Sequence, residues 1–275
     1  MAREPASTAR ITIINDAFGK RLPALAAELV ALRPDVIYTL GSGGADAAAK
    51  ATGTIQIVVG LAGEPTLFRL AGSLARPNGN LTGFTTGSFN YELLEKCFQL
   101  LKEAAPRLSR VAVIHNPDNK GYLSNLHALA PAASQLGITL LDIGIRDLAE
   151  LPQAFAAILA GRADALYVSP ENSLGGSPEF RKQVSAWAQS HRLPLSSTFA
   201  PFAADGALLS LGPDFAAIAR RSATYVQRIL AGAKPGDLPI ERPTIFKFTL
   251  NRKAALAIGL TIPQALLLRA DEVIE

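Results

Sequence analysis

The chain has 275 residues, 49% of them hydrophobic and 18% charged, with a formal net charge of +4. That length allows one large or two medium domains, and that balance excludes a disordered chain. No Lys/Arg block and no aromatic–basic interleaving occurs, so nucleic acid is not an expected partner. The single cysteine, Cys97, excludes an internal disulfide. It shares a helical face with Leu93, Leu94 and Leu101, so packing is its expected role. No apolar run reaches the ~18 residues of a membrane helix, and the polar start, MAREPASTAR, does not read as a signal peptide.

In chain order, 11–15 reads as a short strand and 21–32 as an amphipathic helix ended by Pro34. Residues 35–40, rich in β-branched and aromatic side chains, predict a buried strand. Gly41, Ser42, Gly43 and Gly44 predict a corner, with a helix over 45–51. A strand at 54–59 leads to a second glycine-rich corner at 60–66, a helix at 67–74 and a strand at 81–85. After a helix at 90–105 the alternation restarts. Strands are expected at 111–115, 138–145, 164–168, 193–198 and 207–211, with helices at 123–136, 148–159, 178–190 and 215–231. Residues 243–250 alternate like an exposed strand, and 252–258 and 263–274 read as helices. Arg33-Pro-Asp35-Val-Ile-Tyr38 and Arg162-Ala-Asp164-Ala-Leu-Tyr167 share one pattern, each a strand running into a polar corner. The alternation predicts two similar lobes of mostly parallel sheet flanked by helices. Ligands of such sheets sit outside the carboxyl ends of the strands. A cleft lined by 41–44, 60–66, 116–121, 169–174 and 198–202 is therefore expected.

The 41–44 corner opens a helix, whose first N–H groups and dipole attract an anion. A plain tight turn is the competing reading. Asp46 stands where a dinucleotide fingerprint needs its third glycine, so no nucleotide cofactor is expected. Glu64 and Glu171 lie on two corners. They read as counter-charges for a bound ammonium, as a general acid and base, or as solvated loop charges. His115, His127 and His191 lack metal-ligand spacing, and no Ser/His/Asp or Cys/His set is seen, so neither metal nor enzymatic machinery is expected. Asn116 and Asn119 flank Pro117 in a turn.

Several stretches resemble the substrate-binding proteins of ABC transporters, of the tryptophan/tyrosine transport class. They are RLPALAAELVALRPDVIYTLGSGGADAAAKAT (21–52), SLARPNGNLTGFT (73–85), LLKEAAPRLSRVAVIHNPDN (100–119), GALLSLGPDF (206–215), ILAGAKPGDLPIERPTIFKFTLNRKAALAIGLTIP (229–263) and LLLRADEVIE (266–275). The resemblance implies a two-lobed type I periplasmic-binding-protein fold. One lobe would comprise 1–85 plus about 213–238, the other 86–212 plus about 239–275, with a hinge near 84–88, 211–214 and 238–243. It implies a non-enzymatic component of an ABC importer that captures a small amino-acid-like carboxylate and hands it to permease subunits. Gly41–Gly44 matches the family's carboxylate corner, Gly63, Glu64 and Pro65 its G-D-P corner, and Glu171 and Asn172 its D-N pair. The candidate solute-binding residues are Ser42, Gly43, Gly44, Gly63, Glu64, Thr82, Asn116, Glu171, Asn172 and Thr198.

Three departures stand out. Both family aspartates are glutamates here. Leu211 takes an often aromatic place. The family's first strand and helix are missing ahead of residue 11, which predicts exposed edges on the neighbouring strands. A monomer is expected, or a dimer if another chain replaces that strand. The family works outside the inner membrane, in the periplasm or on a lipid anchor. With no signal peptide seen, a cytoplasmic ligand-sensing domain and a truncated non-functional relic stay open.

Overall fold

A computed structural model describes residues 11–14, 21–86, 91–118, 120–170 and 175–275. The chain folds as two compact α/β units, Met1–Ser88 with Phe215–Pro243, and Phe89–Asp214 with Thr244–Glu275.

Unit 1 is built on a four-stranded parallel sheet in the order β1 (Ile11–Ile14), β2 (Val36–Thr39), β3 (Gln56–Ala62), β4 (Leu81–Thr85). Every step moves one place in the same direction. Right-handed crossovers then put all three connecting helices on one face. These are α1 (Leu22–Ala31), α2 (Gly41–Ala51) and α3 (Glu64–Ala71). Their Leu22, Ala26, Ala45, Ala48 and Leu67 pack against Ile37, Ile57 and Val59. Alternate residues of the same strands, Val36 and Val58, point the other way, as the pleat demands. They pack under Ile218, Tyr225, Val226 and Ile229, which belong to the helix Phe215–Leu230. Among the described residues, the gap expected from a missing strand is not seen. β1 pairs directly with β2, from Ile11↔Val36 to Ile14↔Thr39.

Unit 2 holds a seven-stranded sheet of β5 (Arg110–His115), β6 (Thr139–Gly144), β7 (Ala165–Val168), β8 (Leu195–Ser197), β9 (Leu209–Pro213), β10 (Phe246–Asn251) and β11 (Glu272–Ile274). The order is β11-β10-β9-β8-β7-β5-β6, and only the β9–β10 pair is antiparallel. The helices are α4 (Tyr91–Ala104), α5 (Lys120–Gln135), α6 (Leu151–Ala160), α7 (Pro178–Ser190), the short α8 (Pro201–Ala204), α10 (Arg252–Ala257) and α11 (Gln264–Leu267). The helix Phe215–Leu230 of unit 1 is α9. The unit 2 core gathers Phe98, Leu101, Val111, Val113, Tyr167 and Leu250, with Phe98 and Tyr167 edge to face at 5.3 Å.

The structure corrects four expectations. The glycines at 41–44 form the first turn of α2 rather than a loop before it. Residues 243–250 were expected to form an exposed strand, but β10 lies between β9 and β11 and is buried from Phe248 onward. The helix expected over 263–274 stops at Leu267, and β11 follows. There Asp271 accepts from the Phe248 N–H at 2.7 Å and donates its own N–H to the Phe248 carbonyl at 2.8 Å, which holds the segment extended beside β10. The strand expected over 193–198 is only Leu195–Ser197, and the short helix α8 begins at Pro201, within the 198–202 stretch expected to line the cleft. The Arg-x-Asp echo has a local cause. Arg33 and Arg162, and also Arg192, have φ of +47° to +56° where a helix ends ahead of a strand. Each takes the left-handed place that stops a helix.

Candidate functional site

In unit 1 the carboxyl ends of β2 and β3 feed directly into α2 and α3. Leu40 precedes α2 in extended conformation, and no side chain caps that helix. Its first-turn N–H groups therefore depend on a partner outside the helix. Ser42 is half-buried and Gly43 exposed. A Cβ on Gly43 would come within 2.9 Å of Leu22 Cδ1, so the small residue lets α1 and α2 approach closely. The two expected corners are joined, since the Gly63 N–H donates to Ser42 Oγ at 3.0 Å. Accepting that bond fixes the Ser42 side chain and leaves its own O–H to donate.

Glu64 opens α3, where a carboxylate is favoured by the helix dipole. The structure gives it a cationic partner of its own. Arg242 donates through Nε to Oε2 at 2.9 Å and through Nη2 to Oε1 at 2.7 Å. Both carboxylate oxygens are thus matched by one guanidinium. Next to it, Arg69 pairs with Asp46, linking α3 to α2. Thr82 is fully buried and donates to the Leu238 carbonyl at 2.6 Å, so its hydroxyl ties β4 to the crossover segment.

Residues 238–243 pack within unit 1. Phe84 bridges Glu241, the Glu241 N–H donates to the Gly83 carbonyl at 3.0 Å, and the Thr85 N–H donates to the Glu241 carbonyl at 2.9 Å. Glu241 also accepts from Arg221 at 2.6 and 3.0 Å and from the Tyr225 hydroxyl at 2.8 Å. The Arg221 bonds above all, and Tyr225 with them, hold its carboxyl below the ordinary 4.5 against the effect of burial. A depressed folded value gives stability that is complete above 4.5 and lost as pH falls through the folded value. Glu241→Gln should therefore be less stable than wild type by up to ~1 kcal/mol at pH 6, with the gap closing below 4.5. Urea melts at pH 6 and pH 3 check this, and an equal gap at both would refute it.

In unit 2, β5→β6 and β6→β7 run in opposite directions across the sheet, so the order reverses at the β5/β7 boundary. Such a switch point is where ligands of parallel sheets gather. The segments leaving these strands contain Asn116 and Ser169. Asn116 Oδ1 accepts from the Asp118 N–H at 2.9 Å, a turn of the asparagine type. Thr198 is 6% exposed and shares a 2.9 Å hydrogen bond with the Tyr167 hydroxyl. Glu171, Asn172 and Asn119 lie outside the described residues. Leu211 is a core residue of this unit, packed with Leu209 and Phe248.

His115 and His191 make contacts of their own, and Cys97 is buried. His115 is 1% exposed, with Nε2 2.5 Å from Asp142. His191 stacks on Trp187 at 4.3 Å. Burial pushes the Cys97 thiol up to about 12, which keeps it protonated. Among the described residues no cluster of His, Cys, Asp or Glu suits a metal ion, and no helix is long and apolar enough to cross a membrane.

Arg242 is the residue that sequence reasoning missed. It lies 178 positions from Glu64. The only local signal is the charged pair Glu241-Arg242 following the apolar Ile240.

A tyrosine-binding protein of Clostridioides difficile (strain R20291) is 26% identical over 237 residues, 86% of this chain, and the chain spans 66% of that relative's length. The crystal structure of a conserved domain protein from Vibrio cholerae matches with a TM-score of 0.80 at 28% identity, covering 93% of this chain and 83% of that one. An ABC domain from Streptococcus pneumonia in complex with L-Trp matches with a TM-score of 0.79 at 21% identity, covering 93% and 86%, which is a likeness of fold. The family model of ABC transporter substrate binding proteins matches residues 17–274. The chain belongs to that family.

Proposed function

We propose that this protein captures a small amino-acid-like carboxylate for an ABC importer and releases it unchanged to permease subunits on the outer side of the inner membrane. The observation that carries the reading is the uncapped first turn of α2, at the carboxyl end of β2, with Ser42 held beside it by the Gly63 N–H. Backbone N–H groups, the helix dipole and a hydroxyl donor together suit one carboxylate. Family membership and the likeness to a tyrosine-binding protein support an amino-acid-sized ligand. Capture of this kind needs no nucleophile.

A thermal-shift panel of amino acids and other small carboxylates tests the reading. A true ligand at 100 times its Kd adds about 2.7 kcal/mol to stability, a rise of several degrees in Tm. Ser42→Ala should abolish most of that rise while leaving the ligand-free Tm within ~2 °C. A panel in which no carboxylate raises Tm would overturn the proposal.

A further inference from the structure

The Glu64–Arg242 pair bears on which carboxylates are taken, a matter that rests on the proposed capture of a carboxylate by unit 1 at the start of α2. The pair adjoins that place, because Gly63 donates to Ser42 and Glu64 is the next residue. Glu64 has 17% of its side chain exposed and Arg242 61%. The carboxylate is thus the covered partner and the guanidinium the one facing solvent.

A zwitterionic α-amino acid needs a negative group to match its ammonium once water is excluded. Glu64 is the carboxylate at this corner, and its charge is already balanced through a two-bond fork. An ammonium placed there would meet a neutral pair whose outer member is cationic. A guanidinium has five N–H donors, and the fork to Glu64 uses two. The others remain to meet an anionic or carbonyl oxygen. Arg242 is held in place for this by the neighbouring Glu241, whose backbone is bonded to Gly83 and Thr85 and whose carboxylate is bonded to Arg221 and Tyr225.

We propose that Arg242 is a specificity-determining residue, which cancels the charge of Glu64 so that the site takes carboxylates without requiring an α-ammonium group. The expected ligands are small organic acids that keep the carboxylate and lack the amine, such as arylpropionates, taken as well as or better than the matching amino acids. Removing the guanidinium uncovers Glu64 and restores a preference for the amine.

Calorimetric titration of wild type, Arg242→Gln and Arg242→Lys tests this with three pairs of acids. These are L-tyrosine and 3-(4-hydroxyphenyl)propionate, L-tryptophan and 3-(indol-3-yl)propionate, and L-leucine and 4-methylpentanoate. For the pair that binds, the ratio of the two Kd values should move at least about fivefold toward the amino acid in Arg242→Gln, equivalent to ~1 kcal/mol. Arg242→Lys keeps a cation and should stay within about twofold of wild type, and as a surface substitution it folds if glutamine does not. If glutamine does not fold, a wild-type preference for the amino acid above about twofold decides against the proposal, and binding of the amine-free acid that is equal within that limit, or tighter, supports it. With both variants folded, a ratio that moves less than fivefold, or moves the other way, overturns the role of Arg242 while leaving carboxylate capture intact. Failure of wild type to bind any of the six acids overturns the capture reading, and this inference with it.

Discussion

Gly83→Ala is expected to lower the stability of unit 1 by about 4 kcal/mol or more, the range reserved for backbone clashes and severe core defects. Gly83 has φ +142°, and a Cβ there would lie 2.0 Å from the Val59 carbonyl oxygen and 2.6 Å from the Val59 nitrogen. Those atoms belong to the next strand, so no side-chain rotation can relieve the overlap. The register between β3 and β4 already shifts between Val59 and Ala62, the mark of a bulge that uses an irregular backbone. The other side of Gly83 is engaged as well, because its carbonyl accepts the Glu241 N–H. Alanine would force β4 away from β3 and disturb the segment that carries Arg242. At roughly 2–4 °C per kcal/mol, the unit 1 transition should fall by about 10 °C. A fall of less than ~2 °C in calorimetry would show that the bulge accommodates a side chain.

Asn251→Ala is expected to cost about 3 kcal/mol in unit 2. Asn251 is 5% exposed and ends β10. Its Oδ1 accepts the Ala254 N–H at 2.8 Å, capping α10, and its Nδ2 donates to the Ala203 carbonyl in α8 at 2.8 Å. Losing such a cap costs ~1 kcal/mol, and leaving a buried carbonyl without its donor costs about 1–3 kcal/mol more. Asn251→Asp keeps the cap acceptor but aims a buried charge at the Ala203 carbonyl, so it should be no better than alanine. Urea melts of both variants check this. Full recovery by aspartate would mean that capping alone explains the role of Asn251.

Asn251 and Asp271 show what kind of information the sequence carried. They lie in two of the stretches that carry the family resemblance, 229–263 and 266–275. Asn251 caps α10 through the Ala254 N–H three residues on, whereas Asp271 bonds to Phe248, 23 positions away. The pairing of Asp271 leaves no local signature, whereas the helix that Asn251 caps was readable. So was the helix Pro178–Ser190, where Ser177 caps Phe180 and the apolar stripe buries Phe180 and Val184. The final strand was not, because Val273 and Ile274 fit a helical stripe until β10 is there to pair with them. At 41–44, glycine was read as a corner. Its role here is to let α1 and α2 pack closely at a helix start that keeps the N–H groups pointing outward. Arg242 was invisible for a different reason. Its partner lies on α3, 178 positions away, and only the return of the 238–243 segment to unit 1 brings them together.

The central claim is that this chain holds its ligand by a carboxylate at the start of α2. Titrating the protein with the acid that stabilises it most, and with the methyl ester of that acid, tests this most directly. The ester keeps the rest of the ligand, removes the anion and adds one methyl group. Saturable binding of one acid per chain is expected, with the ester weaker by at least about 30-fold, the worth of one charge-assisted hydrogen bond or more. An ester that binds as tightly as its acid would contradict the claim.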